Sequence, residues 1–279
     1  MYIALIVLIP VAGVLLYFYV QNHGMHSMIW NEVRELAEGS PVEPETVLDE
    51  SSLPAPLQRY LDFAVTEGRE NAGFARLRHG GTFRLKPDAD WLPIRGEEYF
   101  HASAPGFVWT GVVRPNPLAW VRARDRYIGG RGEMLIRLRG ALTLGRSTGE
   151  EMNRSSLLRY LAEMPWFPTA FRTVEGLRWT EIDAHTVEAS LTHAGETVTG
   201  RFTVSDAGEI TAFTSQDRFR DVDGQQVRTA WKGAYRNYRE VDGMRVPHDI
   251  EVTWELEDGD FSYARFQITG IEFDVPAPY

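Results

Sequence analysis

The chain predicts an α+β protein: a large curved antiparallel β-sheet, a half-barrel-like meander of about a dozen strands, with a few short helices and an N-terminal transmembrane helix. Three observations carry that expectation. From about Ala75 to Phe273 the alternation of apolar and polar residues has a period of two, interrupted once by a helical stretch. The breaks between the alternating runs are rich in Gly, Pro and Asp, as turns require. The first twenty residues carry no charged side chain.

Those twenty, "MYIALIVLIPVAGVLLYFYV", are just long enough to cross a hydrocarbon core, which takes ~20 apolar residues. Tyr17 and Tyr19 stand near one end, where interfacial aromatics are favoured, and Pro10 is tolerated in a membrane helix. No basic n-region and no small-x-small site mark a cleaved signal. No polar stripe suits a soluble helix either. The expectation is an uncleaved single-pass anchor over 1–20. Arg34, the nearest basic residue, favours a cytoplasmic C-terminal side. An anchor ahead of a large β domain more often tethers an extracytoplasmic module, and that is the placement expected.

Residues 21–50 read as a juxtamembrane segment: a short amphipathic helix in "SMIWNEVRELA", then the acidic, proline-bearing linker "EGSPVEPETVLDESS". Residues 51–279 read as one β-rich domain. It opens on a short helix, with Ser51 or Ser52 as cap, Pro54 in the first turn, and Leu57, Tyr60, Leu61 and Ala64 at helical spacing. Five strands follow, in "RLRHGGTFRLK", "PIRGEEYFHAS", "GFVWTGVVR", "LAWVRARDRYI" and "EMLIRLRGALTL". The helical interlude "GEEMNRSSLLRYLAEM" places Leu157, Leu161 and Met164 on one stripe and the Arg159/Glu163 pair on another face. Pro165 ends it, and Trp166 and Phe167 lie clamped between Pro165 and Pro168, as a sheet-end plug or as a ligand-contacting lip. Seven further strands complete the meander, from "LRWTEI" to "FSYARFQITGIEF".

Composition excludes several functions. A net charge of -10 and a pI near 5.3 argue against a nucleic-acid partner. The absence of cysteine removes disulfides, thiolate metal sites and thiol nucleophiles. The seven histidines never fall at metal-ligand spacing, so no metal and no cofactor is expected. "YIGGRGEM" lies between two strands and is a hairpin turn, not a dinucleotide loop. No Gly-x-Ser-x-Gly elbow is present. Of 29 basic residues only Lys86 and Lys232 are lysines. Guanidinium suits bidentate anion recognition; arginine as the default surface cation of a GC-rich genome explains the same bias.

The strand 120–127 places Trp120, Arg122, Arg124 and Arg126 on one face and Val121, Ala123, Asp125 and Tyr127 on the other. With Arg137 and Arg139 from the next strand, five arginines form a patch. It reads either as an anion or lipid-headgroup site, or as a solvated face neutralised by Glu97, Glu98 or Glu133. Asp125, on the apolar face, must be paired or hydrogen-bonded, or its pKa rises. It is either a catalytic acid/base or a structural carboxylate accepting from an arginine or from turn N–H groups near Gly130 and Gly132.

The blocks "LPAPLQRYL", "EEYFHASAPGFVW", "RARDRYIGGRGEM", "RYLAEMPWFPTAF", "LRWTEID", "TAWKGAYRNY", "DGMRVPHDIEVTW" and "FSYARFQITGIEF", over residues 53–271, resemble an uncharacterised family of bacterial membrane-associated proteins, a domain of unknown function. That resemblance implies no activity. The strand order is also similar to half-barrels of the lipoprotein-carrier type, an analogy of architecture.

Three functions are expected from these residues. The first is binding of an apolar or lipid-like molecule in the concave sheet, lined by Phe107, Trp109, Trp231, Tyr235, Trp254 and Tyr263, with Arg124, Tyr127, Arg159 and Trp166 as further contacts. The second is a hydrolase using Asp125 or Glu163 as acid/base, with Arg124 or Arg159 orienting. The third is a structural or partner-binding envelope module.

Overall fold

The structure, a computed structural model, describes residues 2–38, 47–116, 119–222 and 224–279. Residue 1, most of the acidic linker (39–46), the end of the "RPNP" turn with the first residue of the next predicted strand (117–118) and residue 223 of the "DVDGQ" turn lie outside the described residues.

Helix α1 (Tyr2–Glu38) is continuous over 37 residues, so the helix expected in "SMIWNEVRELA" is its last three turns. Among the described residues no helix is long and apolar enough to cross a membrane, and the transmembrane reading of 1–20 draws no support from the fold. What the helix does show is a docked end. Met25, Ile29, Val33 and Leu36 recur every three or four residues and bury against Phe74, Tyr99 and Val108.

A second helix, α2 (Ala55–Ala64), starts behind Pro54 and buries Leu57, Tyr60, Leu61 and Ala64, the stripe its spacing requires. Its predicted serine cap is replaced: Asp49 caps a single 3₁₀ turn at Glu50–Ser52 instead.

The strands form one antiparallel sheet. Its first half is β1 (Phe74–Phe83), β2 (Leu92–His101), β3 (Phe107–Asn116), β4 (Ala119–Ile128), β5 (Arg131–Leu138) and β6 (Leu142–Ser147). Its second is β7 (Leu177–Glu181), β8 (Thr186–His193), β9 (Glu196–Val204), β10 (Ile210–Val222), β11 (Gln225–Val241), β12 (Met244–Trp254) and β13 (Phe261–Phe273). The thirteenth strand arises because "EMLIRLRGALTL" splits: Arg139 and Gly140 take φ of 53° and 70°, the left-handed pair that turns a hairpin. The spatial order is β6-β5-β4-β3-β2-β1-β13-β12-β11-β10-β9-β8-β7. Each half is a simple meander, and the first and last strands join the halves.

This order dictates where the interlude goes. Strand β6 is one edge and β7 the other, so the chain between them must cross the inner face of the curved sheet. Helix α3 (Glu150–Glu163), a 3₁₀ turn at Met164–Trp166 and α4 (Ala170–Thr173) make that crossing. Every residue from Ser155 to Ala162 is buried, so α3 is enclosed on all sides rather than resting on one apolar stripe. Tyr235 donates to the Ala162 carbonyl at 2.6 Å, satisfying one of the groups a helix end leaves open. Trp166 is 4% exposed, packs on Phe100 and donates to the Pro247 carbonyl. It is a plug, not a lip.

The concavity is therefore the protein's own core. Phe107, Trp109, Trp231, Tyr235 and Trp254, expected to line a ligand cavity, are all buried in the cluster that includes Leu157, Leu161 and Phe167 of the crossing segment. Tyr263 packs at its margin. Tyr127 is also fully buried, with its hydroxyl 2.9 Å from His193 Nδ1.

Candidate functional site

Strand β4 separates two charged sites, one on each face of the sheet. On the inner face, Trp109 of β3 pairs with Asp125, and Glu98 of β2 pairs with Trp109, so the two carboxylates flank one indole. Arg159 of α3 enters between them. Its Nη1 donates to Asp125 at 2.7 Å, its Nη2 to Glu98 at 2.7 Å and its Nε to Glu163 at 2.8 Å. The guanidinium also lies 5.0 and 5.1 Å from the ring centres of Phe107 and Trp109.

Three buried carboxylates around one guanidinium leave excess negative charge in a low-dielectric setting. Burial pushes Glu98 well above the usual carboxylate range, and the Arg159 charge only partly offsets it. Burial likewise raises Asp125 and Glu163. Arg159 moves the other way: burial disfavours its charge, but the three carboxylates outweigh that and hold its proton more tightly. The neighbouring Glu163 raises Glu98 further, and Glu163 Oε2 is itself buried with no hydrogen-bond partner. Glu98, pushed furthest above its ordinary value, is the carboxyl expected to hold a proton at neutral pH. The remaining charges balance, because Arg218 of β10 also acts on Asp125 and Glu163.

The cluster continues into His79, whose Nε2 accepts from Trp109 Nε1 at 2.9 Å, while Nδ1 lies 3.3 Å from the Gly80 carbonyl. Burial lowers the His79 pKa to about 4, so this imidazole is neutral at physiological pH.

On the outer face, Arg124 and Arg126 are bridged by two carboxylates. Glu32 of α1 lies 3.3 Å from Arg124 and 3.5 Å from Arg126, and Glu133 of β5 lies 3.2 and 3.4 Å from them. Burial raises Glu32. Burial raises Glu133 too, but its hydrogen bond from Arg124 and the nearby Arg charges outweigh it and hold the group low. This interaction locks α1 to the sheet.

Beyond the lock, α1 and the outer face enclose a cleft of about 990 Å³ lined by Ile29 and Trp30 of the helix and by Arg78, Arg95, Arg114 and Arg122 of the sheet. One carboxylate, Glu97, faces these four arginines, and it is engaged by Arg78 at 3.7 Å and by the Tyr99 hydroxyl at 3.0 Å. Arg122 has no ion-pair partner among the described residues, and its buried Nε has no hydrogen-bond partner. Burial lowers its pKa, an effect that the Glu97 charge partly offsets and the Arg114 charge reinforces.

The sequence-derived residues thus divide. Asp125, Glu163, Arg159 and Trp109 come together on the inner face, and the aspartate's partner is the interlude arginine rather than the turn amides of Gly130 or Gly132. Arg124 is excluded from them because alternation points it to the other face, so it orients neither Asp125 nor Glu163. Glu98 corrects the arginine-patch reading: it accepts from Arg159 on the inner face and does not face the outer arginines. Arg122 and Arg137 do pair across β4 and β5 as the shared face requires, whereas Arg139 sits in the turn near Trp120 and Phe18. Glu32, His79 and Arg218 were not singled out by pattern. Glu32 lay in the stretch read as a short amphipathic helix, with nothing to mark it as a partner of the sheet, and the other two sit in alternating strands with no local signal.

The sequence profile described as a family of unknown function (DUF6544) matches residues 44–266, against the 53–271 read from the motifs. No curated protein matches the chain significantly. Among solved structures, a LolA superfamily protein from Nitrosomonas europaea is 11% identical with a TM-score of 0.42, covering 77% of this chain and 92% of its own. A DUF1329 family protein from Desulfovibrio piger is 12% identical with a TM-score of 0.44, covering 80% of this chain and 95% of its own.

Proposed function

This chain belongs to DUF6544, a family of unknown function, and from that premise we propose that it is a membrane-anchored binding protein for an amphiphile with an anionic head. The binding place is the outer cleft between α1 and the sheet. One observation carries the reading: four arginines face a single, already engaged carboxylate in a cleft of about 990 Å³, within a chain whose net charge is -10. A locally cationic cleft in an acidic protein selects anions against its own long-range field. The volume suits a small-molecule ligand, and Ile29, Trp30, Pro93, Ile94 and Val112 supply the apolar walls for an acyl chain. Anchoring rests on the uncharged run Met1–Val20, whose helix continues directly into the cleft wall. That continuity brings the cleft near a lipid surface, with the domain on the extracytoplasmic side.

The test is native mass spectrometry of the full chain released from lauryldimethylamine oxide micelles doped with phosphatidylglycerol or phosphatidylcholine. Phosphatidylglycerol adducts are expected to dominate. A charge-assisted hydrogen bond contributes about 1.5–3 kcal/mol, so Arg122→Gln is expected to weaken binding by roughly 10- to 100-fold. Equal retention of the two lipids, or an Arg122→Gln variant that binds normally, refutes the reading. Competition by inorganic phosphate alone, at matched affinity, reassigns the cleft to free phosphate.

A further inference from the structure

A second cavity, of about 180 Å³, opens on the inner side of the sheet beside the carboxylate cluster. Its floor is Asp125, which is 2% exposed. One carboxylate oxygen, Oδ2, is fixed by Arg159, while Oδ1 is buried with no hydrogen-bond partner. Ser156, 1% exposed, also lines the cavity with a hydroxyl that has no partner. Ser155 accepts from the Phe219 N–H and keeps its own proton to donate. Arg218 adds a donor, and Arg220, with its own buried unmatched Nε, lines the cavity too, beside Asp221, Gln226 and Ser147. Arg218 Nη1 is buried without an acceptor, and its guanidinium lies 4.4 and 5.9 Å from the rings of Trp231 and Trp254. The Trp254 side chain is itself a wall of the cavity.

Buried polar atoms are seldom left unsatisfied. Here Asp125 Oδ1, Ser156 Oγ and Arg218 Nη1 are all unmatched and belong to residues lining one cavity. The hydrogen-bonding characters of the set define what would satisfy it. Asp125 only accepts and Arg218 only donates, so the ligand must both donate and accept within a short span. An anion would meet the Asp125 charge, and a cation would meet Arg218. A hydroxyl group does both tasks without charge, and adjacent hydroxyls serve Asp125, Arg218 and the serines together. An indole beside such a set provides the apolar surface on which the C–H face of a sugar ring packs. The volume is below the roughly 300–1,000 Å³ of drug-sized pockets, which fits a single ring or a short polyol.

We propose that the cavity floored by Asp125 and walled by Arg218, Ser155, Ser156 and Trp254 is a binding site for a neutral polyhydroxylated ligand, a single sugar ring or a short polyol. The site lies on the opposite face from the arginine cleft and does not rest on the lipid reading. Asp125 is positioned, not mobile: its second oxygen is held by Arg159, which ties the ligand contact to the core.

Titration calorimetry of the full chain in lauryldimethylamine oxide, with D-glucose and glycerol as probes and acetate and methylammonium as charged controls, tests it. Saturable millimolar binding of D-glucose or glycerol, and none of either ion, is expected. Arg218→Gln and Ser156→Ala are each expected to weaken it, the arginine variant at least tenfold. Asp125→Asn perturbs the core, so it is read only beside a thermal melt; Arg218, partly exposed at the cavity, gives the decisive variant. Preferential binding of acetate or methylammonium overturns the proposal. So does the absence of saturable binding by both polyols, or polyol binding that survives Arg218→Gln unchanged.

Discussion

Replacing Glu98 with glutamine asks directly where the proton in the inner cluster sits. If Glu98 is neutral at pH 7, glutamine is nearly isosteric with it. The amide oxygen still accepts from Arg159 Nη2, now at 2.7 Å, and the amide N–H takes the place of the carboxylic O–H. The change then stays within about 1 kcal/mol, the scale of one exchanged hydrogen bond. If Glu98 were ionised, the substitution would delete one partner of a buried ion pair, a loss of roughly 3–5 kcal/mol. At roughly 2–4 °C per kcal/mol for a domain of this size, that is a fall in Tm of about 6–20 °C. The pH dependence supplies a second arm. Because the folded pKa of Glu98 is raised, the native state holds a proton that the unfolded chain releases, and wild-type stability declines as pH climbs from about 4.3 toward the folded pKa. Glu98→Gln lacks that decline, so its stability relative to wild type improves with rising pH. Thermal melts at pH 5, 7 and 9 measure both. A loss above 3 kcal/mol at pH 7, or a difference from wild type that is flat in pH, refutes the assigned proton.

Arg159→Met removes the one cation that touches all three carboxylates and is expected to cost about 3–5 kcal/mol, read from urea unfolding midpoints. His79 gives a slope of opposite sign. Its folded pKa of about 4 lies below the ordinary 6.5, so the unfolded chain binds a proton the native state refuses. Stability is lost as pH falls through that window, by at most about 3 kcal/mol. His79→Gln keeps an acceptor for Trp109 and is expected to flatten the urea midpoint between pH 4.5 and 6.5. Gly96→Ala places a Cβ against the His79 ring and the Thr110 carbonyl, and thermal melting is expected to show a loss of about 1–3 kcal/mol. Glu32→Ala unlocks α1: amide exchange over Met25–Leu36 is expected to accelerate while the strands keep their protection.

Strands were legible because each one presents two faces of opposite polarity, and the turns between them carry Gly and Asp. The same alternation paired Arg122 with Arg137 and separated Asp125 from the arginines. It failed at "GEEYF", where Glu97 and Glu98 are followed by Tyr99 and Phe100, large aromatics that bury on opposite faces. Nothing local distinguishes the outer glutamate from the inner one, and register with Trp109 decides it. Helix α3 misled for a related reason. A helix enclosed on every side needs no stripe, so Arg159 resembled an exposed i, i+4 partner of Glu163 although it is 9% exposed. The concave face read as a ligand cavity because aromatic alternation identifies an apolar surface, and its occupant is fixed by the edge-to-edge route of the chain.

The pairing of β1 with β13 has a consequence for how the protein is made. Nascent residues 74–147 emerge as a six-stranded meander whose β1 margin stays open until the last strand, Phe261–Phe273, leaves the ribosome. For the interval in which nearly two hundred residues are synthesised, Phe74–Phe83 is an unmatched strand edge, the kind that recruits other chains. Closure of that distant seam makes folding slow. A chain truncated before Phe261 is therefore expected to aggregate through β1 rather than persist as a stable half, and the protein's yield in a cell hinges on the strand Phe261–Phe273.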